Sequence, residues 1–205
     1  MQGYILNTVK VKDEDLIVSL LTQNSLKTVY RFYGARHATI NLGYKIDFEI
    51  ERSPRSTIGM LRQVLHLSSP WLIDYHKFYL WQHFCKLLYQ HLRDVEVLDS
   101  FYFEMLERAS NKMTKQNPKR VLIESYLDLL EHEGRLHRDF TCFLCNQKVE
   151  EQVVLARGFL PAHPHCLSGK VYAETKVKAL FEQRNTLFLE DEESDVLWHL
   201  IEEGL

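Results

Sequence analysis

The chain of 205 residues is 45% hydrophobic and 12% aromatic, enough to bury a core and to exclude global disorder. No apolar run approaches the roughly 18–20 residues that cross a bilayer, and the N-terminal stretch MQGYILNTVKVKDEDL lacks the regions of a secretory signal. The formal net charge of −3 is unevenly spread: residues 1–66 hold nine Lys/Arg against six Asp/Glu, and the remainder 16 against 22. An N-terminal third of opposite sign to the rest points to an anionic partner there, with an ordinary charged surface as the plain alternative.

The first 66 residues read as strands. GYILNTVKV alternates in polarity, and DLIVSLLT, KTVYRFYG, YKIDFEIE and IGMLRQVLHL follow, with turn signals at Lys12–Asp15 and Gln23–Ser25. Five short strands in so few residues predict a small closed barrel: an OB-fold first, with an SH3-like barrel matching the strand count nearly as well. After Pro70 the period changes. Trp81, Phe84, Cys85, Leu88 and Leu92 form the stripe of a buried helix, which makes Cys85 a core residue and leaves His76, His83 and His91 on a solvated or half-buried face. Further helices are predicted in EVLDSFYFEMLERASNKM and KRVLIESYLDLLEHEG, with Gly134 as a stop, and in AETKVKALFEQ and EESDVLWHLIEEG. The expected plan is α+β: an OB-fold barrel over residues 1–68, then an all-helical domain over 69–205 carrying a zinc-ribbon-like insertion at 139–170.

That insertion holds three of the four cysteines. Cys142 and Cys145 stand three apart, and His163 and Cys166 repeat the interval after a gap of 17 residues, giving C-x2-C-x17-H-x2-C. The pattern predicts one structural zinc ion bound by Cys142, Cys145, His163 and Cys166, with His165 as the rival fourth ligand. Four protein ligands leave no open coordination position. So short a segment has little apolar core, so loss of the metal is expected to disorder it. Cysteines gathered at one site suit a reducing cytosol better than a disulfide framework. A zinc deaminase is excluded, because no histidine begins the required H-x-E. No Gly-rich phosphate loop is present, so no nucleotide cofactor is expected.

The stretch LKTVYRFYGARH interleaves basic and aromatic residues, as single-strand binders do. The candidate DNA-binding residues are Lys27, Tyr30, Arg31 and Arg36, with Arg52, Arg55 and Arg62 beyond. On a strand Tyr30 and Phe32 share a face, and some of these aromatics must fill the barrel.

Taken together, the pieces resemble the RecO family of bacterial recombination mediators. The resemblance runs through GYIL (Gly3–Leu6), EDLIVSLLT (Glu14–Thr22) and YGAR (Tyr33–Arg36), and through IESYLDLLEHEGRLHRDFTCFLC before the cysteine pair. The chain departs from the family's pattern at Leu26, at Tyr33, and in HATINLG, where the family carries a basic run. The resemblance implies a non-enzymatic, cytoplasmic and nucleoid-associated DNA-repair protein. Such a protein binds single- and double-stranded DNA, promotes strand annealing and works with RecR. It engages the acidic, hydrophobic C-terminal tail of single-strand-binding protein and helps load recombinase. Lys112, Lys115, Lys119 and Arg120 are candidates to meet that tail. The alternative is a protein-interaction adaptor in replication or repair with little DNA affinity of its own.

Overall fold

The computed structural model describes residues 1–54 and 56–205, which form two compact units, Met1–Thr114 and Lys115–Leu205. The first opens with five strands: β1 (Gln2–Lys10), β2 (Leu16–Thr22), β3 (Ser25–Arg31), β4 (Lys45–Glu51) and β5 (Gly59–His66). They close into a barrel in the order β1-β2-β3-β5-β4, with β1 pairing to both β2 and β4, and β3 running parallel to β5. That closure is the OB-fold and not the SH3-like alternative. Thr22 pairs directly with Ser25, so Gln23 and Asn24 make a two-residue hairpin turn. Alternate residues face inward: Val18 and Leu20 of β2, Val29 of β3, Ile46 and Phe48 of β4 and Leu61 of β5 are all buried. Register shifts at Ile5/Asn7 and Asp47/Glu49 give the bends a barrel this small requires.

Strand β1 is buried on both faces, because helices α1 (Tyr75–Leu92) and α2 (Phe101–Met113) cover its outside. Tyr4 points away from the barrel interior onto Trp81 and Phe103, with ring centroids 5.8 Å and 5.7 Å away. Its hydroxyl donates to Glu107 of α2 at 2.6 Å, and Lys45 reaches the other carboxylate oxygen at 2.9 Å. Burial and then that carboxylate push the Tyr4 phenol well above its ordinary pKa. Trp81 donates from its indole N–H to the carbonyl of Gly43 at 2.8 Å. Gly43 has φ +84°, and a Cβ built there would lie 2.8 Å from Trp81 Cδ1, so only glycine fits. Helix α1 starts at Asp74, whose carboxylate accepts from the Lys77 N–H, and it buries the predicted stripe of Trp81, Phe84, Cys85, Leu88 and Leu92. The change from strand to helix falls where the sequence places it, near residue 68. The compact units divide later, at 114/115, because these two helices pack with the barrel.

In the second unit α3 (Pro118–His132) is capped by Asn117, whose side chain accepts from Lys119 and Arg120 N–H, and it ends before Gly134 at φ +67°. It packs against α5 (Asp191–Glu202), which opens on a reciprocal capping box of Glu190 and Glu193. Between α3 and α4 (Glu174–Gln183) lies a three-stranded antiparallel sheet: β6 (Gln152–Leu155) flanked by β7 (Pro161–Ala162) and β8 (Val171–Ala173). The insertion is joined to the helices through Phe140, Phe159 and Phe181, all essentially buried, with Tyr126 of α3 5.0 Å from Phe159. It therefore has an apolar core after all, shared with α3 and α4. Among the described residues no helix is long and apolar enough to cross a membrane.

Candidate metal centre and nucleic-acid interface

Two tight turns bring the Cys/His pairs together. The first is closed by the Asn146 N–H on the Cys142 carbonyl at 2.9 Å and the Cys142 N–H on the Gln147 carbonyl at 2.8 Å, with Asn146 left-handed at φ 58°. The second is closed by the Cys166 and Leu167 N–H groups on the His163 carbonyl, both at 3.0 Å. Strand β7 ends one residue before His163, and the Phe143 N–H donates to the Pro161 carbonyl at 3.1 Å, so the sheet sets one turn against the other.

The donor atoms of Cys142, Cys145, His163 and Cys166 all lie within 4.8 Å of one another, a group that can hold a metal ion. His163 Nδ1 is 3.4 Å from Cys145 Sγ and 3.9 Å from Cys166 Sγ. Tetrahedral zinc geometry places such N and S atoms about 3.6 Å apart, from bonds near 2.05 and 2.3 Å. His163 Nε2 donates to the Lys148 carbonyl at 3.0 Å, which leaves Nδ1 as the lone-pair nitrogen facing the sulfurs. His165 lies outside the group, with its ring stacked on that of His163 at 4.8 Å. Burial alone would raise the Cys142 thiol, but backbone N–H groups of Cys145, His163 and Leu144 bring it down to about 6. Cys166 is pushed up to about 11 by burial and by its neighbours Cys145 and Cys142. Three converging sulfurs cannot all ionise without a cation between them, so the donor set fits a bound metal. Cys85 is the contrast: buried on α1, its thiol is pushed far up and is inert core.

The predicted DNA-binding residues divide into two groups. Arg31 lies on the same side of β3 as buried Val29; its guanidinium donates to the Leu61 carbonyl at 2.9 Å, and burial together with nearby Arg62 lowers its pKa. Arg62 pairs with Glu51 at 2.8 Å, and Arg36 pairs with Glu14 while lying over the Tyr33 ring. The Tyr30 hydroxyl donates to Asp15 at 2.5 Å, with its ring edge-on to Phe32. These four are engaged within the barrel. Lys27 and Arg52 are not: among the described residues neither is held by an ion pair, and both line a groove of about 410 Å³. Arg55 lies outside the described residues. The groove runs between β3 and the loop from Arg52 to Ile58, and Thr28, Ser53, Ser56 and Thr57 add hydroxyls to it. An OB-fold presents its nucleic-acid surface on strands β2–β3 and the β1–β2 and β4–β5 loops, so this groove has the right place. Those hydroxyl residues belong to no recognised motif, although the run RSPRST at Arg52–Thr57 carries their signal.

In the expected tail-binding cluster two of the cations are already taken. Lys119 pairs with Asp195 at 2.7 Å, and Arg120 donates to the Thr186 and Leu189 carbonyls and to Asp191, so both secure α5 and the loop before it.

One chain thus carries an OB-fold barrel with a cationic groove and a helical unit with a Cys3His knuckle. Residues 1–72, which hold the whole barrel, match the family model described as RecO N terminal. No curated protein matches the chain.

Proposed function

We propose that the chain is a non-enzymatic recombination mediator of the RecO type. It binds single- and double-stranded DNA along the barrel groove, promotes annealing of complementary strands, and acts with RecR to load recombinase on DNA coated by single-strand-binding protein. The observation that carries this reading is the pair of unengaged cations, Lys27 and Arg52, set among hydroxyls beside β3 and the β4–β5 loop. Phosphates there gain charge and hydrogen bonds without breaking an internal ion pair. The metal is one zinc ion, held by Cys142, Cys145, His163 and Cys166 as a closed structural clip. The site of action is the cytoplasm, at the nucleoid.

For the acidic, hydrophobic tail of single-strand-binding protein, a cavity of about 530 Å³ in the second unit is a second candidate beside the cluster of Lys112, Lys115, Lys119 and Arg120. Phe143 and Leu160 give it an apolar wall, and Arg135, His137 and Arg157 stand on its rim with Glu203, Arg135 pairing with Glu133 and Arg157 donating to the Gly204 carbonyl. The adaptor reading draws on the same knuckle, where Phe143 and Leu144 are 40% and 51% exposed.

The test is a salt series on oligothymidine binding. Counterion release makes log K fall linearly with log salt, and Lys27→Glu with Arg52→Glu flattens the slope by about 0.7 for each phosphate no longer neutralised. A wild-type protein with no salt-dependent DNA affinity, yet a stable RecR complex, overturns the mediator reading in favour of the adaptor.

A further inference from the structure

One face of α1 is unexplained by packing. The buried stripe from Trp81 to Leu92 accounts for the side against the barrel, while Tyr75, Tyr79, His83 and Lys86 follow one another at spacings of four, four and three on the other. Tyr75 is 81% exposed and Tyr79 53%. Their rings lie near parallel, 26° apart with centroids 6.5 Å distant, and His83 continues the line edge-on to Tyr79 at 6.4 Å. The charge pattern is equally one-sided. In a chain with net charge −3, the 18 residues of α1 contain no Asp or Glu and carry Lys77 and Lys86.

We infer that this face of α1 is a stacking track for single-stranded DNA, separate from the barrel groove. The inference rests on the reading of the chain as a DNA-binding protein and adds a second strand-binding surface to it. Three properties select the occupant. The exposed rings of Tyr75 and Tyr79 are met by planar bases, each of which stacks without regard to sequence. A helix with no acidic side chain beyond its Asp74 cap tolerates a phosphate backbone alongside it and places Lys86 at its edge. A second copy of the same helix would instead set like charges against each other. A protein that anneals strands has to hold one strand while another approaches, and two surfaces on one compact unit provide for that.

The experiment pairs affinity with location. Binding of oligothymidine is measured over a salt series for wild type, for Tyr75→Ala/Tyr79→Ala and for Tyr75→Phe/Tyr79→Phe. The alanine pair is expected to weaken binding by about tenfold or more at unchanged salt slope, because stacking and not charge is removed. The phenylalanine pair, which keeps the rings, is expected to retain wild-type affinity. Oligothymidine carrying 5-iododeoxyuridine is expected to photo-crosslink to the peptide containing Tyr75 and Tyr79. Wild-type affinity in the alanine pair, or crosslinks confined to barrel peptides, overturns the track and leaves the face to a protein partner. The two readings fail differently. If wild type binds DNA and only Lys27→Glu/Arg52→Glu weakens it, the track alone is lost; if wild type binds no DNA, the mediator reading falls with it.

Discussion

His163 donates through Nε2 to the carbonyl of Lys148 at 3.0 Å, and this one bond settles which of its nitrogens faces the sulfurs. The ring cannot turn Nε2 to a metal without leaving a backbone carbonyl unpaired. His163→Ala is therefore expected to abolish metal retention in native mass spectrometry, whereas His165→Ala retains it, since that ring only stacks on its neighbour. Chelation of wild type should loosen the knuckle without unfolding the unit, because Phe140, Phe159 and Phe181 hold the insertion to the helices. Loss of metal from His165→Ala, or collapse of the helical circular dichroism on chelation, contradicts this account.

The arginines of the barrel are not equivalent. Arg62→Ala removes an exposed pair with Glu51 and is expected to change neither DNA affinity nor stability measurably. Arg31→Met leaves the Leu61 carbonyl without its donor and is expected to cost about 1 kcal/mol in urea unfolding, with DNA affinity near wild type. Only substitutions at Lys27 and Arg52 should move the salt slope. A large affinity loss in Arg31→Met at unaltered stability would return that residue to the interface.

Gly43 and Trp81 join the barrel to α1 at a place with no room for a side chain. Gly43→Ala combines a left-handed backbone with a Cβ 2.8 Å from the indole, and about 2–4 kcal/mol of stability is expected to be lost. Urea unfolding followed by tryptophan fluorescence checks this, and a midpoint equal to wild type rules it out.

Glu193 is buried at the start of α5, where burial raises its carboxyl but Lys176 at 2.8 Å and the Glu190 N–H at 2.8 Å more than reverse that, lowering it overall. A depressed carboxyl contributes stability above its unfolded value of about 4.3, and that contribution is lost as pH falls through the lower folded value. Glu193→Gln is expected to cost about 1–2 kcal/mol at pH 7 and little once wild type has protonated. Thermal melts across pH 7 to 3 read the difference, and a gap that stays constant would refute it.

Much of the architecture is legible in residue order. Strands β2 and β4 announce themselves because Val18 and Leu20, and Ile46 and Phe48, recur at period two between turn residues, and α1 because Trp81, Phe84, Cys85 and Leu88 recur at the helical period. The sheet of the insertion does not, since strands of four, two and three residues are too short to show any period.

The sequence by itself determined the strand-then-helix plan and the spacing of the two Cys/His pairs, because both depend on local periodicity and on turn geometry. Only the tertiary structure brings the His163 ring and not that of His165 into the group of three sulfurs, since the Lys148 carbonyl that orients the ring comes from another turn of the chain. It also separated Lys27 and Arg52 from Arg31, Arg36 and Arg62. Composition counts all of these as positive charge, but a cation already held by a carboxylate or carbonyl of its own fold has fewer donors to offer a partner, and those contacts are brought close by folding alone.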